Sequence, residues 1–249
     1  MRERLIPFVA GSAEDTDVFC FQEVLSVPGA NEAGWRKSMK FGDSFAKGTV
    51  ADGRIFGAMK RTLRGFDSFL SAPYAKGDPR LATFVSGKAA VTFHEIHPLG
   101  VEQRQRARGE DIWAKPILQY TRLRAGGRQY NILNFHGLWV FRKWHSDTPN
   151  RIEQSQAIMD FIAGLKGRTV LCGDFNLTPE TRSLRMLEDS GLRNLVREEG
   201  VKSTRTREFW RSRDVFADYV LVSEDVEVRD FGVIDEAVSD HLPLYLDFR

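Results

Sequence analysis

Thr169-Val170-Leu171-Cys172-Gly173-Asp174-Phe175-Asn176 is the stretch on which the reading of this chain turns. Its first four residues are β-branched or apolar and form a short strand covered on both faces. Gly173 then lets the backbone turn tightly, and residues two apart on an extended segment point the same way. Asp174 and Asn176 therefore face one spot together. A carboxylate there binds a metal or takes a proton from water, and an amide donates to an anionic oxygen. An Asx-turn that merely ends a strand is written in the same letters.

Four other pieces place polar groups beside strand-like runs: Phe21-Gln22-Glu23, Asn134-Phe135-His136, Asp218-Tyr219 and Ser239-Asp240-His241. Glu23 ends a run that begins at Val18, and Mg²⁺ or Mn²⁺ favour such oxygen ligands. A solvated carboxylate at a strand end is the plainer alternative. Asp218 opens Tyr219-Val220-Leu221-Val222 and is suited to accept the second N–H of a histidine. Of five histidines, His136 and His241 stand at strand termini, where imidazole donates to an anion or shuttles a proton. A neighbouring Asp and His also cap loops by ordinary hydrogen bonds. His94 and His97 read as structural or surface residues, and the role of His145 is open.

Outward from these pieces, strands are expected at 17–24, 81–85, 89–96, 117–123, 130–135, 169–172, 217–222, 226–233 and 242–248. The pair 117–123 and 130–135 makes a hairpin around Ala125-Gly126-Gly127. Phe56, Met59, Leu63, Phe66 and Leu70 keep a helical spacing, which predicts one helix over 54–70. Thr148-Pro149 supplies an N-cap and first turn for a helix that Gly167 stops, and 179–189 reads as a shorter helix. Leu5 to Gly11 reads as part of a helix, 28–48 as loop, and 104–110 as a polar surface loop. Helices spread between more numerous strands predict an α/β fold, a β-sandwich with helices outside. With no repeat, low-complexity tract or linker, residues 1–249 read as a single domain.

The chain has 249 residues, 42% hydrophobic and 28% charged, and so buries a substantial core. A net charge of +2 does not mark a nucleic-acid binder by total charge, although local clusters still hold phosphates. Cys20 and Cys172 fall in predicted buried strands and read as inert core thiols, not a disulfide framework. No apolar run approaches the roughly 18 residues of a membrane span. The N-terminus lacks a full signal-peptide core, so a cytoplasmic protein without stable membrane insertion is expected.

Together the pieces Gln22-Glu23, Asn134-Phe135-His136-Gly137, Gly173-Asp174-Phe175-Asn176, Asp218-Tyr219 and Ser239-Asp240-His241-Leu242-Pro243 resemble the endonuclease/exonuclease/phosphatase superfamily. They stand in that superfamily's order over nearly the whole chain. The resemblance implies a four-layer α/β sandwich, two mostly antiparallel sheets face to face with helices outside. It also implies phosphoester hydrolysis assisted by Mg²⁺ or Mn²⁺. Glu23 is then the main metal ligand, with Asp174 and Asp240 near the metal. Asp174 also aligns or deprotonates the attacking water, and Asn176 binds the phosphate. His241, oriented by Asp218, donates to a non-bridging oxygen or moves a proton, and His136 contacts the phosphate or the leaving-group side.

Superfamily members usually begin with a strand ending in an asparagine that supports the metal site. Here helix-like Leu5 to Val9 follows Met1 at once. The expectation is a chain that starts downstream of its true start, since a missing inner strand leaves strand edges unpaired. For substrate, Lys202 to Arg213 with Phe209 and Trp210 suits a nucleic-acid backbone and a stacked base. Trp139, Phe141, Arg142, Lys143 and Trp144 form a second basic-aromatic stretch. The leading expectation is a nuclease acting on a nucleic-acid partner. The alternatives are a hydrolase of small, inositol or lipid phosphates, and a catalytically weak binding protein.

Overall fold

The computed structural model describes residues 2–24, 54–76, 79–107, 110–143, 145–206 and 215–249. In chain order they form α1 (Arg2–Ser12), β1 (Val18–Val24), α2 (Arg54–Thr62), β2 (Phe66–Leu70), β3 (Arg80–Ser86) and β4 (Ala90–Pro98). Next come β5 (Gln103–Ala107), β6 (Glu110–Ala114), β7 (Ile117–Ala125), β8 (Arg128–His136), α3 (Pro149–Ala163) and β9 (Arg168–Asp174). The last are α4 (Arg182–Asp189), β10 (Leu192–Asn194), α5 (Leu195–Glu198), β11 (Asp218–Ser223), β12 (Val228–Val233) and β13 (Leu244–Phe248).

The larger sheet runs β10-β11-β9-β8-β7-β4, and its β8–β9 pairing is parallel while the rest are antiparallel. Across from it lies the antiparallel sheet β1-β3-β2, with β12–β13 as a separate pair. On the outside of the smaller sheet, Val9 of α1 and Ile55 and Met59 of α2 pack with Val24, Ala82 and Phe84. Outside the larger sheet, Phe161 of α3 meets Tyr120 edge-on at 5.5 Å and lies 4.3 Å from His97. Each such apolar side chain, once buried, contributes about 1.5–3 kcal/mol. The order helix, sheet, sheet, helix is the expected four-layer sandwich. The second layer differs from expectation in being split, since no pairing among the described residues joins β1 to β13.

A polar clamp fastens the two sheets behind the site. Asn134 Oδ1 accepts from Gln22 Nε2 at 2.7 Å. The Asn134 Nδ2 group lies within hydrogen-bond reach of Phe21 O, Ala82 O, Thr83 Oγ1 and Gln119 Oε1, at 3.2–3.3 Å. Thr83 Oγ1 donates to Gln119 Oε1 at 2.8 Å. A satisfied buried network fixes one relative position of two sheets that apolar contact alone would let slide.

Some expected elements change. The helix foreseen over 54–70 ends at Thr62, and 66–70 is strand β2 paired with β3. Gly65, at φ 84°, stops the helix, and Phe66, Ser68 and Leu70 then alternate as a strand requires. The loop foreseen at 104–110 is instead mostly strand β5, which pairs antiparallel with β6 beginning at Glu110. Its alternating Gln103, Gln105 and Arg104, Arg106 set inner against outer faces. The helix foreseen from 179 starts at Arg182, while β10 and α5 had no clear sequence signal. Thr148 caps α3 as expected, accepting from the Arg151 N–H. Cys20 and Cys172 are half-buried, with the Cys20 thiol and burial together pushing the Cys172 thiol well up. The expected loop at 28–48, Trp144 and the Phe209-Trp210 pair lie outside the described residues. No described helix is long and apolar enough to cross a membrane.

Gly173 shows how tightly β8 and β9 approach at their ends. Its φ is 143°, and a Cβ there would stand 1.9 Å from Phe135 O. Gly173→Ala is expected to cost about 3 kcal/mol or more in stability, from backbone strain plus overpacking. Urea unfolding checks this, and a midpoint within 0.3 M of the wild type, about 0.5 kcal/mol at a typical slope, would contradict it.

Candidate active site

Strand register assembles the site. In the larger sheet His136 pairs with Asp174 across the parallel β8–β9 ladder, and Asp174 pairs with Asp218 across β9–β11. Three neighbouring strand ends thus carry His136, Asp174 and Asp218 in one row. Glu23 comes from the opposite layer, near the end of β1. There the β1–β3 register shifts between Phe21 and Val24, and Glu23 adopts φ 54°. Such a bulge re-aims a side chain at the cost of local strain. Tyr74 Oη accepts the Glu23 N–H at 3.3 Å and its ring lies 5.2 Å from that of His136. His241 comes from the loop before β13, held by its own N–H donating to Ser239 Oγ.

Carboxylates and imidazoles alternate through the cluster. His241 Nδ1 and Asp218 Oδ2 are hydrogen-bonded at 2.7 Å. His241 Nε2 then lies 3.8 Å from Asp174 Oδ2 and 3.8 Å from Asp240 Oδ2. On the other side, His136 Nε2 is 3.6 Å from Asp174 Oδ2 and 3.6 Å from Glu23 Oε1. Asp174 Oδ1 is occupied differently, accepting the Asn176 N–H at 2.8 Å. One oxygen of Asp174 is therefore fixed by backbone, and the other faces both imidazoles. Asn176, at φ 53°, gives its amide nitrogen to Gly137 O at 3.0 Å. A Cβ on Gly137 would lie 2.3 Å from Phe175 O, so this approach also needs glycine. From α3, Gln154 Oε1 accepts from Leu138 N, and Arg151 Nε donates to Leu138 O. Both pin the loop that follows His136.

The electrostatics follow the geometry. Burial pulls against protonation of His241, but the Asp218 carboxylate outweighs it and raises the imidazole to about 10. His136 is likewise raised, burial being overcome by Asp174 and Glu23. Burial alone would raise Asp174, yet His136, His241 and Arg205 hold its carboxyl well below the usual range. Asp218 is raised by burial despite its histidine. Glu23 is raised first by loss of hydration inside the concavity, although its side chain is half-exposed, and further by Asp240 and Asp174.

All seven residues singled out from the sequence stand in this neighbourhood. A carboxylate raised by other carboxylates is a place that gains from a cation, and the oxygen donors Glu23, Asp240 and Asp174 suit a hard divalent ion. Ligand atoms of Asp174, Asp218 and His241 also lie within 4.8 Å of one another. The short Asp218–His241 hydrogen bond makes that trio an acid–base chain more than a cage. His145, left open by sequence, contacts Phe216 O through Nδ1 at 2.9 Å and supports the loop before β11. His94 stacks on Phe69 at 4.1 Å and meets Thr121, a structural place. Sequence reading missed Tyr74 and Arg205 as members of the site, since neither stands at a strand end.

An α/β sandwich carrying this row of strand-end acids and imidazoles is the frame of a metal-dependent hydrolase superfamily. The chain belongs to the endonuclease/exonuclease/phosphatase family, whose model matches residues 4–241. No curated protein matches it. Among solved structures it is similar to a mannosyl-6-phosphatase of Bacteroides thetaiotaomicron, with a TM-score of 0.69 and 16% identity over 99% of this chain and 91% of that one. It is similar to a humanized TDP2 of D. rerio, with a TM-score of 0.69 and 12% identity over 100% and 90%. The human Nocturnin catalytic domain gives a TM-score of 0.66 and 17% identity over 100% and 86%. At these identities the likeness is one of fold.

Proposed function

We propose that this chain hydrolyses phosphate esters with the help of Mg²⁺ or Mn²⁺, using Asp174, His241, Asp218, His136 and Asn176. The observation that carries the reading is the alternation Asp218–His241–Asp174–His136–Glu23 along one rim. Glu23, with Asp240 and Asp174, would hold the cation, which when bound neutralises developing charge on the phosphate. Asp174 Oδ2 orients the attacking water and receives its proton. Because His136 and His241 weaken it as a base, orientation is its larger service. Oriented by Asp218, the protonated His241 donates from Nε2 to a non-bridging oxygen. The bond from water oxygen to phosphorus forms, the bond to the leaving oxygen breaks, and that oxygen takes up the proton carried by His136 Nε2. Positioned acid–base groups of this kind contribute about 10²–10⁴-fold each.

The substrate class is part of the proposal. A nuclease reading is favoured by the β5–β6 hairpin, where Arg104 and Trp113 face each other across strands and both are exposed. That hairpin is tied to the loop after His136, since Gln105 bonds Trp139 O and Phe141 N. Exposed Arg beside Trp suits a phosphate and a stacked base. A phosphatase reading is favoured by the resemblance to a protein named as a phosphatase. Assays with Mg²⁺, Mn²⁺ or EDTA on plasmid, single-stranded DNA, RNA, bis-p-nitrophenyl phosphate and p-nitrophenyl phosphate test both. Metal-dependent release from at least one ester is expected and EDTA abolishes it. A folded protein inert on every ester with either metal would sink the hydrolase reading in favour of a binding protein.

A further inference from the structure

Arg205, one charge of the basic stretch 202–213, stands beside Asp174 and Asp240, yet the reaction proposed above gives it no contact with the substrate. It forms an isolated antiparallel bridge with His241, so the two side chains leave the backbone on the same face. Its neighbours hold it rigidly. Thr204 Oγ1 accepts from Ala217 N and Asp218 N, and Leu242 N donates to Thr204 O. Thr206 N donates to Asp240 O, and Thr206 Oγ1 to Ser239 O. Segment 203–206 thereby stitches the start of β11 to the loop that carries Asp240 and His241.

The guanidinium so placed is under-used. Its Nη1 lies 3.9 Å from Asp240 Oδ2, an ion pair too long for a hydrogen bond. Its Nε is buried and has no hydrogen-bond partner among the described residues. Such a donor costs stability unless something fills it, and arginine's planar fork matches two oxygens of a phosphate. A diester offers two non-bridging oxygens, for which His241 Nε2, the Asn176 amide and a bound cation would suffice. A monoester offers a third. We propose that Arg205 binds this additional oxygen, so that the site prefers a substrate ending in a phosphate group. This rests on the hydrolase reading above and narrows its substrate class to phosphomonoesters.

The test compares kcat/KM on p-nitrophenyl phosphate and on bis-p-nitrophenyl phosphate for the wild type, Arg205→Gln and Arg205→Lys. The wild type should favour the monoester. Arg205→Gln should lower the monoester value about 10- to 100-fold, as for a charge-assisted hydrogen bond, and the diester value by less than about 3-fold. Arg205→Lys should recover part of the loss, retaining charge without the fork. Inorganic phosphate with Mg²⁺ should raise the Tm of the wild type and not that of Arg205→Gln. Equal losses on both esters, a wild-type preference for the diester, or a large fall in the unliganded Tm of Arg205→Gln would each overturn the proposal. In those cases ester cleavage itself persists. Failure of the hydrolase reading shows differently, as a wild type inert on both esters, and it removes this proposal too.

Discussion

Asp174→Asn is expected to lower kcat on the best ester about 10³-fold while the protein remains folded. The carboxamide keeps the shape of the side chain, and its oxygen still accepts the Asn176 N–H that Asp174 Oδ1 accepts at 2.8 Å. What disappears is the negative charge at Oδ2, which faces His136 at 3.6 Å and His241 at 3.8 Å. Two consequences act together. Attacking water loses the acceptor that aligns it, an effect of about 10²–10⁴-fold for a positioned group. Both imidazoles also lose a charge that favours their protonated forms, since Asp174 raises His136. Asp174→Ala adds the loss of the Asn176 seat and should be slower still, because Asn176 holds a left-handed φ of 53°. Steady-state kinetics beside a thermal melt separate the two variants. If Asp174→Asn retained more than a tenth of wild-type kcat, Asp174 would not be the residue that prepares the water.

Which parts of this arrangement could be read from sequence depends on how local the cause is. Gly173-Asp174-Phe175-Asn176 was legible because strand, tight turn and paired polar groups are all written within eight residues. The Thr148-Pro149 start of α3 was legible for the same reason. The stretch 54–70 misled because Phe66 and Leu70 satisfy helical spacing as well as strand alternation, and the deciding fact is the left-handed Gly65 between them. Arg205 was visible only as one charge in a basic stretch. Its meaning comes from the bridge to His241, 36 positions away, which no local pattern announces. Gln119 is hidden likewise, an ordinary strand residue until Asn134 and Thr83 meet it from two sheets. Motif residues were thus readable one at a time, while the residues that hold them became readable only once register was fixed.

Asp218→Asn should move the alkaline limb of the pH–rate profile down by more than two units. In the wild type burial lowers His241, but Asp218 more than compensates and the imidazole sits at about 10, above an ordinary 6.5. The donor at Nε2 is therefore protonated through neutral pH, and kcat should hold until roughly pH 9 before falling. With asparagine, the principal raising charge is gone, which leaves burial and Arg205 acting against Asp240, so His241 loses its proton at a much lower pH. At pH 8 the variant should then have lost well over 10-fold, with more recovered at pH 6 than at any higher pH. Stability supplies an independent reading of the same pair. A histidine whose folded pKa exceeds its unfolded value contributes stability that is full below 6.5 and is lost as pH rises toward about 10. The wild-type Tm should accordingly decline across that window, and Asp218→Asn and His241→Gln should both flatten the decline. An alkaline limb unmoved by Asp218→Asn would mean that the group titrating in turnover is not His241. The flattened Tm profile would then still report the 2.7 Å Asp218–His241 bond as a structural one, so the two measurements separate orientation for catalysis from simple cohesion of the loop.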